Sequence, residues 1–400
     1  MSEPMPGEPP LDTTDKMAAM GYQFSCSRHT LARAMRSAAR VVGTGRRSLA
    51  YDGVWTTIED GWLTLTVTRP PVTLEQRIPI DGTGSGSLVL PLEPLRRVIL
   101  SRRSGDAEFE GDDESIEFRS RAFRAELLAI PAHSVLAPDG PVDPHHVATI
   151  SGDAFRAGID HTALSLSHRF GWRPDPTGLE ITARGDTLRF AATDLETLAI
   201  AEFRDPFAED SLDAPLIVPP EAMNDLGRHV PKRRRVEVRI GAQQVDFVAG
   251  DTSIRVEHML SSFPDYESLR TAPTTRVVRM QRRRLRRAVE HVSLLSHRHR
   301  PARVWLDLEP GTVRVRTLDR QIGSGSETCA AELEGDPCTV GLYLWTLVAL
   351  LRQLKGKHLV IDVGDPQVRV SFHDPDQPTR RYHMLPLAID APLEQVRDAG

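Results

Sequence analysis

"GSLVLPLEPLRRVIL" spans residues 86–100, and its plan returns twice. "APLIVPPEAMNDLGRHV" covers 214–230 and "CTVGLYLWTLVALLRQL" covers 338–354. Each reads as a strand of three or four residues running into an amphipathic helix of about three turns. Pro91 and Pro219 sit where those helices begin, a place that tolerates a missing N–H because no intrahelical partner exists for it. A fixed recurrence of one pattern is the mark of a repeat architecture, so the neighbours of these stretches must repeat as well.

They do. After each helix comes an alternating segment cut by Gly and Asp turns: "AEFEGDDESIEFRSRAFRAELLAIP" ending at Pro131, "VEVRIGAQQVDFVAGDTSIRVEHMLSSFP" at Pro264 and "LVIDVGDPQVRVSFHDPDQPTRRYHMLP" at Pro386. Period-two alternation makes each of these three short strands. Before each helix lies an earlier one, over 27–42, 151–167 and 281–296, followed by a polar or basic loop and strands such as "LTLTVTR", "LRFAATDLETLAI" and "VRVRTLDRQ". "GTGSGS" (82–87) reads as a hairpin loop. The fold class is therefore α+β: three copies of a unit with two helices and antiparallel sheets. The expected boundaries are a disordered N-terminal extension over 1–21, units over 22–137, 147–270 and 275–390, and a tail over 391–400. Polar, Pro-containing linkers fall at 137–146 and 270–276.

Composition narrows the function. The chain has 400 residues, 40% of them hydrophobic and 26% charged, as in an ordinary soluble globular protein. No run reaches the roughly eighteen apolar residues of a membrane helix, so no membrane association is expected. The acidic, Pro-rich beginning lacks the basic and apolar regions of a signal peptide. Three scattered cysteines, Cys26, Cys329 and Cys338, suggest neither a disulfide framework nor a zinc site. A cytoplasmic location follows. No nucleophile elbow, P-loop, H-E-x-x-H or G-x-G-x-x-G before a helix is present, so neither an enzyme nor a bound cofactor or metal is expected. Helix-turn-helix and zinc-finger spacings are missing too.

The charge is unevenly placed. The net formal charge is −5, yet residues 281–300 hold seven arginines and three histidines. Corresponding helices of the other copies are also basic: Arg33, Arg36, Arg40, Arg96, Arg97, Arg102 and Arg103 in the first, Arg228 and Lys232 to Arg235 in the second. Recurrence on equivalent helices points to a polyanion rather than to a merely solvated face.

The repeat and three local stretches together resemble the bacterial sliding clamp, the beta subunit of DNA polymerase III. The stretches are "FAATDLETLAI" (190–200), "FPDYESL" (263–269) and "YHMLPLAI" (382–389). The resemblance covers about residues 22–390. It implies three clamp domains per chain and a head-to-tail homodimeric ring with helices lining a central pore. It further implies a DNA polymerase processivity factor that encircles double-stranded DNA without reading sequence, in the cytoplasm and nucleoid-associated. DNA contacts are expected from Arg46, Arg47, His168, Arg169, Arg233, Arg283, Arg287, His297, Arg298 and Arg300. Polymerase and clamp-loader subunits are expected to dock short Gln-Leu-x-Leu-Phe-like peptides. Their pocket would comprise Thr193, Leu195, Glu196, Thr197, Leu198, Val238, His383, Leu385, Pro386 and Leu387. The ring interface would use Ala125 and Leu127 against Leu294 and Leu295, with Phe123 as a substitute two residues away.

The chain departs from the family pattern in that pocket. Leu195-Glu196-Thr197 stands where the family commonly has Gly-His-Arg, and Leu385-Pro386-Leu387-Ala388 where it has Met-Pro-Met-Arg. Glu196 is expected to disfavour acidic peptides through like-charge repulsion. These departures keep open an alternative: a diverged clamp paralogue, specialised or inhibitor-resistant, with an altered peptide pocket.

Overall fold

The computed structural model describes residues 21–43, 53–101, 105–166, 178–205, 212, 214–260, 262–297, 301–364 and 369–387. It divides into two compact units, residues 1–140 with 250–253, and residues 141–249 with 254–400.

In the first unit the elements run β1 (Tyr22–Ser27), α1 (Arg28–Val42), β2 (Gly53–Glu59), β3 (Trp62–Arg69), β4 (Val72–Pro79), β5 (Asp81–Thr83), β6 (Gly86–Pro91), α2 (Leu92–Leu100), β7 (Asp106–Gly111), β8 (Ser115–Ser120), β9 (Phe123–Leu128) and β10 (Ile130–Pro131). One sheet has the order β5-β1-β7-β8-β9, and another set is ordered β10-β6-β2-β3-β4. The expected hairpin at 82–87 is not one. β5 pairs with β1, whereas β6 pairs with β2 and β10. Glycine is needed at this crossing because a Cβ on Gly82 would come 2.2 Å from the Gln23 carbonyl oxygen. The sheet core is aromatic: Phe24 stacks on Phe109, which meets Phe118, which meets Phe123.

The second unit continues with β11 (His146–Ser151), α3 (Gly152–Thr162), β12 (Leu179–Arg184), β13 (Thr187–Thr193), β14 (Thr197–Arg204), β15 (Leu216–Val218), α4 (Met223–His229), β16 (Arg235–Ile240), β17 (Gln244–Ala249) and β18 (Thr252–Glu257). Then follow α5 (Glu267–Thr271), β19 (Arg276–Gln281), α6 (Arg282–Val292), β20 (Arg303–Glu309), β21 (Thr312–Asp319), β22 (Gly323–Glu334), β23 (Cys338–Tyr343), α7 (Leu344–Gln353), β24 (His358–Val363), β25 (Val370–His373) and β26 (Arg380–Met384). A twelve-stranded sheet has the order β15-β12-β13-β14-β26-β25-β24-β19-β22-β21-β20-β23. α4 is shorter than the three turns expected, because Pro220–Ala222 forms a 3-10 turn ahead of it.

Repetition reaches individual hydrogen bonds. Arg28 opens α1 and donates to the Ile99 carbonyl near the end of α2 (2.6 Å). Arg282 opens α6 and donates to Leu351 near the end of α7 (2.9 Å) and to Gly356 (2.6 Å). Both guanidinium groups supply donors to carbonyls that a helix leaves unpaired at its C-terminus. At the equivalent place α3 begins with Gly152, whose N–H donates to the Arg234 carbonyl (2.9 Å) and whose Cβ would meet Pro231 O at 2.2 Å.

Candidate functional sites: a basic helix face and a turn at a strand end

Arg282, one of the basic helix charges, is buried at 8% exposure and serves the helix junction with α7. Arg286 and Arg352 both pair with Glu290. His291 pairs with Glu327 (2.6 Å). Arg283, Arg284 and Arg287 are exposed. Residues 283 and 287 lie one turn apart on one helix face, opposite buried Leu285, Ala288, Val289 and Val292. The first turn of α6 thus carries Arg282, Arg283 and Arg284 with no acidic residue, at the helix end where the backbone dipole already favours anions. Three cations there oppose local stability. In the first unit, Arg96 and Arg97 are both drawn to Glu93. Arg33, Arg36 and Arg40 are exposed along α1. Arg233 is exposed in a turn at φ 59°, and His297 is exposed, its carbonyl accepting from Trp345 Nε1 (3.0 Å). Arg46, Arg47, Arg102, Arg103, His168, Arg169, Arg298 and Arg300 lie outside the described residues.

The candidate peptide site is built on strand register. β14 pairs antiparallel with β26, placing Leu198 opposite His383, and β26 pairs with β25, placing His383 opposite Ser371. Side chains directly opposite share a sheet face, so Leu198, His383 and Ser371 form one row. The turn between β13 and β14 sits at its end. Asp194 Oδ1 accepts from the N–H groups of Glu196 (3.2 Å) and Thr197 (2.7 Å), and Thr193 Oγ1 accepts from Leu195 N–H (2.9 Å). The Asp194 carboxylate is therefore a turn brace. That turn holds Leu195 at φ 66°, a left-handed conformation unusual for a branched aliphatic residue, with its side chain 54% exposed. The Leu385 N–H donates to the Glu196 carbonyl (3.0 Å), joining the C-terminal segment to the turn. Leu385 is 42% exposed. Beyond Pro386, Leu387 bridges to Gly341 on β23.

Thr193, Leu195, Glu196, Thr197, Leu198, His383 and Leu385 are brought together. Val238 is not. It lies on β16, buried and paired with Ala148 and Phe247, in a strand set separate from β14 and β26. Its apolar character serves a core instead. Residues that the resemblance did not place in the pocket pack beside it: Phe263 and Leu269 join Tyr266 against Ala191, Leu198 and Ile200. Tyr266 donates to Glu180 (2.6 Å), and Arg189 bonds both Glu202 and Glu267 (2.7 Å each). Arg369 fixes the far end of this connector, donating to the carbonyls of Leu269 (3.0 Å) and Ala272 (2.8 Å). A polar, Pro-containing linker predicts a loop. The apolar Phe263 and Leu269 beside it were the available sign that the segment packs on a sheet.

Burial shapes the titration of the neighbouring histidines. The His383 imidazole is pushed down to about 3, first by burial and then by Arg369 and Arg381. On the helix side His161 stacks on Tyr382 at 4.1 Å and is pushed down to about 4, mainly by burial. Both rings are neutral near pH 7.

The expected interface residues lie on a strand and a turn. Ala125 and Leu127 are on β9, an edge strand whose outward Leu128 is 77% exposed. Phe123 is engaged in the aromatic row of its own sheet. Leu294 is 80% exposed, and Leu295 lies so close over Gly325 that a Cβ there would meet its Cδ1 at 2.7 Å.

Residues 149–265 match the family described as "DNA polymerase III beta subunit, central domain". The chain is 24% identical over 315 residues to the beta sliding clamp of Caulobacter vibrioides, covering 76% of this chain and 83% of that one. It is 23% identical over 360 residues to that of Synechocystis sp., covering 83% and 90%. Among solved structures, the DNA polymerase III subunit beta of Pseudomonas aeruginosa superposes with a TM-score of 0.82 at 22% identity, over 92% of this chain and all of the other. The sliding clamp of Bacillus subtilis gives 0.81 at 18%, with the same coverage. The class is thus a clamp fold of mixed helices and antiparallel sheets. Together the family match, the curated relatives and the structures support the recognition made from the sequence, a bacterial beta sliding clamp.

Proposed function

We propose that this chain is a DNA polymerase sliding clamp: two chains close head-to-tail around duplex DNA, and the ring tethers polymerase and other replication proteins without chemistry of its own. The observation that carries this reading is a pair of free strand edges. Inside the second unit β14 joins β26. The counterpart of β14 is β22: Asp319 braces the turn before it, accepting from Gln321 and Ile322 N–H as Asp194 does before β14. The counterpart of β26 is β9, each ending shortly before a proline, Pro386 and Pro131. From Gly323 to Ala330, β22 pairs with β21 on one side and with no strand on the other among the described residues. Among the described residues β9 pairs with β8 alone. Joining β22 of one chain to β9 of the next repeats the β14–β26 join. Leu198 opposite His383 then becomes Gly323 opposite Leu128, and Ala201 opposite Arg380 becomes Ser326 opposite Ala125. Unpaired edges of this kind are templates for another chain.

The proposed domains are residues 22–137, 147–270 and 275–390. Their basic helix faces would attract DNA phosphates without base readout. Short peptides of polymerase and clamp-loader subunits would dock beside Leu195 and Leu385, which are both exposed next to the β13–β14 turn. Among the described residues no helix is long and apolar enough to cross a membrane, and a nucleoid-associated location in the cytoplasm suits this role. No relative favours the paralogue alternative specifically. Retention on nicked circular duplex DNA is the test. A loaded clamp stays on the circle through high-salt gel filtration and is lost once the DNA is linearised, while equal loss from both forms contradicts the proposal.

A further inference from the structure

Under the 263–271 connector lies a cavity of about 430 Å³, in the size range of small-molecule sites, and none of the expected DNA or peptide residues lines it. Its floor is a sheet face. Glu180, Thr182 and Arg184 alternate along β12, with Thr187 and Arg189 on the neighbouring β13. Residues 263–267 and Arg270 cover it. Glu180 is 8% exposed. Tyr266 donates to its Oε2 (2.6 Å), and nothing else bonds the carboxyl among the described residues. The guanidinium groups beside it are spent elsewhere: Arg189 on Glu202 and Glu267 (2.7 Å each), Arg270 on Glu267 (2.7 Å). Arg184 is exposed, two alternate positions along the strand. Four carboxylates, of Glu180, Glu202, Asp265 and Glu267, thus stand against three guanidinium groups, of Arg184, Arg189 and Arg270. Burial pushes the Glu180 carboxyl above its ordinary value, although the Tyr266 hydroxyl, Arg189 and Arg184 pull the other way. A buried carboxylate with one hydrogen bond and no paired cation is costly, and a cation reaching it removes that cost.

We infer that this cavity is a binding site for an organic cation, a guanidinium or ammonium group that pairs with Glu180. The Phe263 ring lines the same cavity, and an aromatic neighbour adds to the attraction for such a group. A metal ion is the poorer fit, because among the described residues no group of three His, Cys, Asp or Glu side chains could hold one. An anion is disfavoured by the excess of carboxylates. The site adds a ligand to the proposed tethering role and does not depend on it.

The test is isothermal titration calorimetry of the full chain with butylguanidinium and with butylurea, its neutral counterpart of similar shape. Butylguanidinium should bind about tenfold more tightly, the effect of one hydrogen bond to a charged group. Acidification should weaken its binding and leave that of butylurea unchanged, because protonation removes the carboxylate. Glu180→Gln keeps the shape, loses the charge and should erase the preference. Thr182→Trp fills the cavity from its floor, leaves the Glu180–Tyr266 bond in place and should abolish binding of both probes; it decides alone if Glu180→Gln melts too low to titrate. A third probe, acetyl-Gly-Arg-Gly-amide, separates the sources of the cation. Binding tighter than that of butylguanidinium assigns it to a protein side chain, and weaker binding to a free small molecule. Butylurea binding as tightly as butylguanidinium, no binding of either, or a preference that survives Glu180→Gln or Thr182→Trp overturns the inference.

Discussion

Leu195 shows at a single residue how the site conflicts with local preference. A left-handed φ on a non-glycine residue costs about 1 kcal/mol or more and persists only where its surroundings enforce it. Thr193 and Asp194 enforce it here by binding the N–H groups of residues 195–197. Leu195→Gly should therefore stabilise the chain by about 1 kcal/mol in urea denaturation while weakening peptide binding. Destabilisation would mean that the exposed leucine packs more than its surface suggests. The arginines divide in the same way. Arg282→Met removes donors from helix-end carbonyls and should cost about 2–3 kcal/mol of stability. The histidines set a pH dependence. His161, with its folded value near 4, stays neutral while an unfolded histidine titrates near 6.5, so the unfolded state gains protons first as pH falls. Stability should therefore decline from about pH 6.5 toward pH 4, and His161→Phe should flatten that decline in melting curves. These roles were only partly legible. The sequence pattern places Arg282 and Arg283 in one basic run, and only helix phase and the carbonyls of α7 separate the buried residue from the exposed one.

Among elements, α6 carries its proposed DNA-facing arginines against its own stability. Arg283→Glu places an anion in the first turn and should raise helix stability by about 0.3–1 kcal/mol. It should weaken DNA association at the same time. Every phosphate that the protein no longer neutralises makes the slope of log affinity against log salt shallower by about 0.9, which a salt titration on duplex DNA reads directly. An unchanged slope would show that this face does not meet phosphate. Hydrophobic period made most helices and strands readable, because residues such as Leu285, Val289 and Val292 must share one face. Two features were not readable. The 82–87 segment has the glycines of a hairpin, yet its strands serve different partners, and pairing between distant strands leaves no local trace. Val238 has the pattern of any buried strand residue, and the pattern does not tell one sheet from another. The connector over 263–271 holds a stretch that resembles the clamp family, but its place beside the candidate peptide site depends on packing against Leu198 and Ile200 that spacing alone cannot give.

At the scale of the whole molecule, the recurrence along the sequence of strand, helix and strand series is the most legible feature, since the three proposed copies together carry more than any single weak motif. The proposed ring closure was legible in the sequence only in outline. The resemblance puts Ala125 and Leu127 on the closing strand, but the opposing strand, β22, with Gly323, Ser324, Gly325 and Ser326, offers few side chains to recognise. Backbone pairing there is the larger part of the proposed join. The proposed register makes a specific cross-link prediction: Ala125→Cys with Ser326→Cys should form a disulfide between chains under mild oxidation, giving covalent dimers in non-reducing gels, while a pair shifted by two residues should not. The most direct measurement is the solution mass of the unmodified chain by light scattering at micromolar concentration. Closure of the β9 and β22 edges predicts a mass of twice 44.4 kDa. A mass of 44.4 kDa would leave both edges unpaired in solution and contradict the two-chain ring.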